Sequence, residues 1–178
     1  ILSEILPPDS IIVDEIIAQG MLMMQHLFRK ESLTHYRGSA GGLGTGIPTA
    51  LGIKLAEPEK LVVCLIGDGS FNYNPIPASL GLSQQYKAAI LIIVCNNEGY
   101  ASQTWNIKKY FPEGWAVKTG IFYGDKIEPT PDYSQIARAF NGYGERVEAP
   151  EKLKSALERG VEVVKNGHLA LIDVILRP

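Results

Sequence analysis

The sequence predicts a three-layer α/β/α domain around a mainly parallel sheet of about six strands, and three observations carry that prediction. First, residues 61–66 (Leu-Val-Val-Cys-Leu-Ile) and residues 88–95 are continuous apolar, β-branched runs, which mark strands buried on both faces. Second, these runs break abruptly, into Gly67-Asp68-Gly69-Ser70 and into Asn96-Asn97-Glu98-Gly99-Tyr100. Third, the stretch between them carries helix signals: Asn74 as a cap, Pro75 at the first position, and Ile76 and Leu80 on one face. A strand, helix, strand unit crosses over right-handed, so the two strands are parallel neighbours and their carboxyl ends lie together.

The elements before this unit follow from the same signals. Residues 1–6 read as the tail of a helix stopped by Pro7-Pro8. Residues 11–13 form a short strand with Asp14 and Glu15 after its carboxyl end, and residues 16–28 form a helix whose Met21, Met23 and Met24 fill a core or an interface. Residues 33–36 are a second short strand. The run 38–46 then holds five glycines in nine residues, which means a backbone that approaches another group closely. After Gly44 and Gly46 there is no third glycine at Thr49, and no Gly-Lys-Ser/Thr occurs, so neither a dinucleotide fingerprint nor a nucleoside triphosphate loop fits. A helix containing Pro48 follows, with Ile47, Leu51 and Leu55 as its buried stripe.

Beyond the central unit, residues 100–106 continue as a loop or short helix, and residues 108–131, with Pro112, Pro129 and Pro131, read as a long loop of the lid type. Asp132 caps a short amphipathic helix through Tyr133, Ile136 and Phe140. Residues 144–147 are a strand, residues 151–165 a helix with Leu153, Leu157, Val161 and Val164 on one face, and residues 169–176 the last buried strand.

With 178 residues the chain is long enough for one full core and short for two, so residues 1–178 read as a single domain. Hydrophobic residues at 46% and charged residues at 20% are the ordinary balance of a globular domain. A net charge of −2, with no basic cluster beyond Lys108-Lys109, argues against nucleic acid or an anionic membrane as partner. No apolar run approaches the ~20 residues that span a bilayer, and the opening residues do not read as a secretory signal. The first residue is Ile rather than Met, so a piece of a longer protein or a processed chain is expected. Cys64 and Cys95 fall inside the buried runs as small core residues; two such thiols make no disulfide framework, and a cytoplasmic compartment is expected. His26, His35 and His168 share no metal-ligand spacing and read as structural or surface residues.

The chemistry concentrates where the central strands end. Adjacent strands lie about 4.8 Å apart, so Asp68 and Asn97 can reach one small ion. A carboxylate, an amide oxygen and a backbone carbonyl near Gly99 make a half-shell of the kind that holds Mg²⁺, with phosphate oxygens and water completing the octahedron. Gly69 and Ser70 lie where the next helix begins, and backbone N–H groups there favour a diphosphate.

At these residues the chain resembles the thiamine-diphosphate-dependent enzymes, whose signature is Gly-Asp-Gly, some two dozen residues, then Asn-Asn. Here Gly67-Asp68-Gly69 and Asn96-Asn97 are separated by the 26 residues 70–95. The glycine-rich run is similar to that of the benzoylformate decarboxylase and acetolactate synthase branches, Gly-Gly-Leu-Gly before a Pro-containing helix, here Gly41-Gly42-Leu43-Gly44 and Pro48. The resemblance covers nearly the whole chain and implies the C-terminal, diphosphate-binding (PP) domain of a larger enzyme. It implies Asp68, Asn97 and the Gly99 carbonyl as Mg²⁺ ligands, and Gly67, Gly69, Ser70, Asn97 and Tyr100 as cofactor contacts. The Gly41 carbonyl would accept from the pyrimidine 4′-amino group, and Leu43 would be the wedge that bends the two rings into a V. Ser102, Gln103 and Asn106 are the candidates to face substrate. In the family the activating glutamate comes from the pyrimidine-binding (PYR) half, so no catalytic residue is expected in this chain, and Glu15 reads as structural or one remove from the cofactor.

The implied function is the Mg²⁺–thiamine diphosphate half of a 2-oxo acid decarboxylase or carboligase. It would work with a PYR domain or subunit in a homo-oligomer, and the isolated chain would be inactive. Two other readings stay open: a free-standing cofactor-binding subunit of a two-chain decarboxylase, and a catalytically silent binding or assembly module. Loss of Asp68 or Asn97 would mark the silent module, and both are present. A ferredoxin-linked oxidoreductase subunit is disfavoured because no cysteine cluster exists to receive electrons.

Overall fold

The computed structural model of the chain describes residues 1–27, 29–38 and 42–176. In chain order the first half holds α1 (Leu2–Ile5), β1 (Ile11–Glu15), α2 (Gly20–His26), β2 (His35–Arg37), α3 (Gly46–Ala56), β3 (Val62–Gly67), α4 (Asp68–Tyr73) and α5 (Ile76–Tyr86). The second half holds β4 (Leu91–Asn96), α6 (Ala101–Tyr110), α7 (Trp115–Thr119), α8 (Ser134–Ala139), β5 (Tyr143–Val147), α9 (Pro150–Lys165) and β6 (Ala170–Ile175). The strands form one sheet in the order β2-β1-β3-β4-β6-β5, parallel at every pairing.

Continuous apolar strands dictate helices on both faces, because alternate side chains point to opposite sides. In β3 and β4, Val63, Leu65, Leu91 and Ile93 join a core with Leu157, Val161 and Val164 of α9 and Met23 of α2. Their neighbours Val62, Cys64, Ile66, Ile92 and Val94 join a second core with Ile47, Ala50 and Leu51 of α3, Phe71 of α4, Leu80 of α5 and Ala137 of α8. This is the expected α/β/α sandwich.

Several local expectations are corrected. β1 does not stop at Val13: Asp14 and Glu15 are strand residues paired with Leu65 and Ile66, and both are buried. The following helix accordingly starts later, at Gly20, because residues 16–19 turn over the sheet edge; Phe28 lies outside the described residues. Of the three methionines expected in a core or an interface, Met23 packs on the core, and Met21 and Met24 are exposed, which leaves the interface reading for those two. Leu55 is 48% exposed. Eight residues after Ile47 the helical rotation has carried it off the buried stripe, which Ala50 completes instead. Asn74 does not cap α5; its amide is turned toward α3 and β1. The segment read as a long loop begins with the end of α6, which holds no proline and whose C-terminus Lys108 and Lys109 complement, and it includes α7. Asp132 does serve the start of α8, accepting from the Ser134 N–H at 3.0 Å.

The two positions Leu91 and Leu55 separate core from surface. Leu91→Ala, at a fully buried site in the central strand, should lower unfolding free energy by about 2–5 kcal/mol. Leu55→Ala should change it by less than about 0.5 kcal/mol. Urea unfolding of both variants checks the pair, and a comparable loss in each would show that Leu55 is covered in solution.

Candidate functional site

The strand order places a switch point between β1 and β3: β2 lies on the outer side of β1, and β4 on the outer side of β3. Chain segments leaving β1 and β3 therefore diverge and open a crevice at the carboxyl edge of the sheet, where ligands bind in open α/β folds. A small cleft sits there. It is lined by Ile16, Ile17, Ala18 and Gln19 after β1, by Leu43, by Gly67, Asp68, Gly69 and Ser70 after β3, and by Asn97, Gly99, Tyr100, Ala101, Ser102 and Gln103 after β4.

Because Gly67 stands opposite Cys95, Asp68 and Asn97 emerge side by side. Asp68 is 1% exposed, and its Oδ2 accepts from the Gly99 N–H at 2.9 Å. Burial pushes its carboxyl above the ordinary range, and the N–H groups of Gly69, Gly99 and Asn97 offset part of that rise. The Asn97 amide presents one atom 2.9 Å from Asp68 Oδ1 and 2.9 Å from the Gly99 carbonyl oxygen. As nitrogen, that atom donates to both and closes the site on itself. As oxygen, it faces two other acceptors, the Asp68 carboxylate and the Gly99 carbonyl, an arrangement that a bound cation would stabilise. Mg²⁺ binds oxygens at about 2.0–2.1 Å in octahedra, so its neighbouring ligand oxygens stand about 2.9 Å apart, a separation these contacts share with an ordinary hydrogen bond. The donor set of one carboxylate, one amide and one carbonyl suits Mg²⁺ with further oxygens from a diphosphate. Among the described residues no cluster of three His, Cys, Asp or Glu side chains offers a competing metal site.

Two supports hold this half-shell, and neither was legible in the sequence. The first is Asn96, fully buried at the end of β4. Its Oδ1 accepts from the Glu98 N–H at 3.1 Å, which fixes the turn that carries Asn97, while its Nδ2 donates to buried Asp173 of β6 at 3.1 Å. Burial raises the Asp173 carboxyl, and the donors on Asn96 and the Tyr133 backbone counter it. Glu98 pays for the turn with φ +60°. The second support is residues 125–127, which run back along the turn: Asp125 O accepts from the Tyr100 N–H at 2.7 Å, and the Ile127 N–H donates to Glu98 O at 2.9 Å. This strap holds the Gly99 carbonyl from behind.

Across the cleft, the Tyr100 ring packs on Gly69 so closely that a Cβ there would lie 2.7 Å from it, which explains glycine after Asp68. Gly44 has φ +97°, and a side chain there would meet the Tyr73 carbonyl, so the loop before α3 also needs glycine. Glu15 is not in the cleft wall; its carboxylate is taken up by the N–H groups of Gly44, Thr45 and Gly46, in line with a structural reading. Of the substrate-side candidates, Ser102 and Gln103 line the cleft, whereas Asn106 lies further along α6 on an exposed face and is not among the lining residues. Gly41, expected to bind a pyrimidine amino group, lies outside the described residues. Cys64 and Cys95 are free thiols against the cores, and burial pushes Cys95 up to about 12, so neither is a reactive group.

Comparison with known proteins bears on the family and the fold. The family model described as thiamine pyrophosphate enzyme, C-terminal TPP binding domain, matches residues 18–174. The large subunit of acetolactate synthase isozyme 3 from Escherichia coli is 35% identical over 141 residues, covering 76% of this chain and 23% of that protein. The mitochondrial acetolactate synthase catalytic subunit of Aspergillus candidus is 36% identical over 146 residues, covering 77% of this chain and 18% of that protein. Among solved structures, the thiamine diphosphate-dependent 4-hydroxybenzoylformate decarboxylase of Rhodococcus jostii superposes with a TM-score of 0.84 at 28% identity, over 99% of this chain and 31% of that one. Benzoylformate decarboxylase from Polynucleobacter necessarius superposes with a TM-score of 0.78 at 25% identity, over 99% of this chain and 32% of that one. The chain thus spans less than a third of the length of each of these relatives. With a family match over residues 18–174, the chain belongs to the thiamine pyrophosphate enzymes, as their C-terminal TPP-binding domain.

Proposed function

We propose that the chain is the PP half of a 2-oxo acid decarboxylase or carboligase of the acetolactate synthase type, holding Mg²⁺–thiamine diphosphate at the carboxyl edge of its sheet. The observation that carries this reading is that the Asn97 amide lies 2.9 Å from both the Asp68 carboxylate and the Gly99 carbonyl at the carboxyl edge of the sheet, a donor set suited to Mg²⁺. Bound there, the cofactor would supply the nucleophilic thiazolium carbon and the electron sink that decarboxylation of a 2-oxo acid needs. The chain's own residues do the binding and shaping. Asp68 supplies the negative charge at the metal; Gly67, Gly69 and Ser70 form the floor beside the diphosphate; Asn97 and Tyr100 close the opposite wall. Leu43, part-buried in the same cleft, would be the apolar prop for the cofactor rings, and Gly41, which the resemblance implies for the pyrimidine, lies outside the described residues.

The single domain 1–178 would be the C-terminal part of the complete enzyme. A PYR domain or subunit brings the activating glutamate, within a cytoplasmic homo-oligomer. Isolated, the chain would then be inactive, because the activating glutamate would be missing. Exposed Met21, Leu22 and Met24 beside the cleft segment 16–19 are consistent with such a partner. Among the described residues no helix is long and apolar enough to cross a membrane.

Two substitutions in the complete enzyme test the assignment. Asp68→Ala should abolish Mg²⁺-dependent cofactor affinity, because the only charged ligand is gone; calorimetric titration reads it, and unchanged Mg²⁺-dependent affinity would remove Asp68 from the site. Leu43→Ala should lower kcat by about 10²-fold while cofactor affinity changes far less, since misplacement by about 1 Å carries that cost. Steady-state kinetics against cofactor concentration separate the two quantities. Equal losses in both, or none in either, would make Leu43 ordinary packing.

A further inference from the structure

The start of α3 is an unusual helix end. Its N-cap residue, Thr45, makes no side-chain cap, yet four consecutive N–H groups are satisfied by side chains from elsewhere in the chain. Glu15 Oε1 accepts from Gly44 at 2.7 Å and Thr45 at 3.0 Å, and its Oε2 accepts from Gly46 at 3.0 Å. Asn74 Oδ1 accepts from Ile47 at 3.1 Å. The same Asn74 donates through Nδ2 to Glu15 Oε2 at 2.9 Å and to the Ser70 carbonyl at 2.8 Å. Two buried side chains therefore join the loop after Leu43 to the helix that carries Asp68, Gly69 and Ser70.

We propose that Glu15 is a positioning residue: with Asn74 it locks the Leu43 loop to α4, so that the prop under the cofactor rings and the floor under its diphosphate keep one fixed separation. Glu15 does not itself touch the cleft, and its carboxylate receives four donors, so no lone pair is left for a proton-transfer role. Its negative charge sits at the N-terminus of an 11-residue helix, where the helix dipole favours it. Glutamine cannot replace it, because an amide presents one acceptor oxygen and turns its own N–H groups toward backbone donors. Gly46 is part of the device: a Cβ there would lie 2.8 Å from Glu15 Oε2. The inference rests on the cofactor-binding reading for its consequence, while the clamp itself is independent of it.

The test uses the complete enzyme with Glu15→Gln, Asn74→Ala and the double variant. Asn74→Ala keeps the buried carboxylate and three of its donors, and so remains measurable if Glu15→Gln does not fold. Amide hydrogen exchange of Gly44, Thr45 and Gly46 in cofactor-free enzyme should lose at least about tenfold protection in both single variants. With cofactor present, kcat should fall by about 10²-fold, with a much smaller change in cofactor affinity. The double variant should be scarcely worse than the worse single one, because both act on one network. Multiplying losses, or a lower kcat with unchanged exchange, would overturn the proposal, the latter by placing Glu15 in the chemistry itself. Lost protection with normal kcat would also overturn it. Failure of the unsubstituted enzyme to bind thiamine diphosphate would instead sink the proposed function, and the exchange measurement would still decide whether the clamp exists.

Discussion

Because β3 and β4 are hydrogen-bonded parallel neighbours with Gly67 opposite Cys95, the residues that follow them leave the sheet at adjacent points of one edge. Every feature of the site depends on that register. A slip of one residue would turn Val63 and Leu65 to the wrong core and carry Asp68 away from Asn97, and the apolar alternation on both faces forbids it. The same register brings Asp68 and the turn that carries Asn97 together, and Asn96, Asp173 and residues 125–127 then hold that turn.

The cost falls on the polar groups that the sheet buries. Asp14, Glu15, Asp68, Asn96 and Asp173 all lie at or near strand ends with almost no exposure. Leaving such groups unpaired costs about 1–3 kcal/mol each, and more for charges. The molecule answers most of them with hydrogen bonds: Asp14 Oδ1 accepts from the Ile16 N–H, Glu15 from the start of α3, Asn96 from the Glu98 N–H, and Asp173 from the Asn96 side chain and the Tyr133 N–H. These bonds also fix the loops that line the cleft, so satisfying the buried groups and ordering the site are one arrangement.

The fold and the centre of the site were legible because they rest on local signals. Continuous β-branched runs reported central strands, and glycine and asparagine at their ends reported where the chemistry lies. The misreadings share a cause. Asn74 looked like a cap for α5 because a helix signal follows it, but its partners, Glu15 and Ile47, are 59 and 27 residues away in sequence. Glu15 read as a residue beyond a strand because a carboxylate rarely sits inside one, and only the tertiary supply of four donors explains it. Asn96 passed as half of a motif, while its partner Asp173 lies 77 residues on. Leu55 was assigned to a stripe by spacing alone, although its rotation turns it outward. Pattern reports which face is apolar; it does not report which distant group completes a buried polar atom.

The central claim is that Asp68, Asn97 and the Gly99 carbonyl together bind one divalent cation at the switch point. Crystals of the complete enzyme grown with thiamine diphosphate and Mn²⁺ in place of Mg²⁺ test it through the anomalous signal of the metal. The account predicts a single strong peak within about 2.2 Å of all three oxygens, with the Asn97 amide turned oxygen-inward. A peak elsewhere, or an occupied cofactor with Asn97 donating its nitrogen to Asp68, would contradict it.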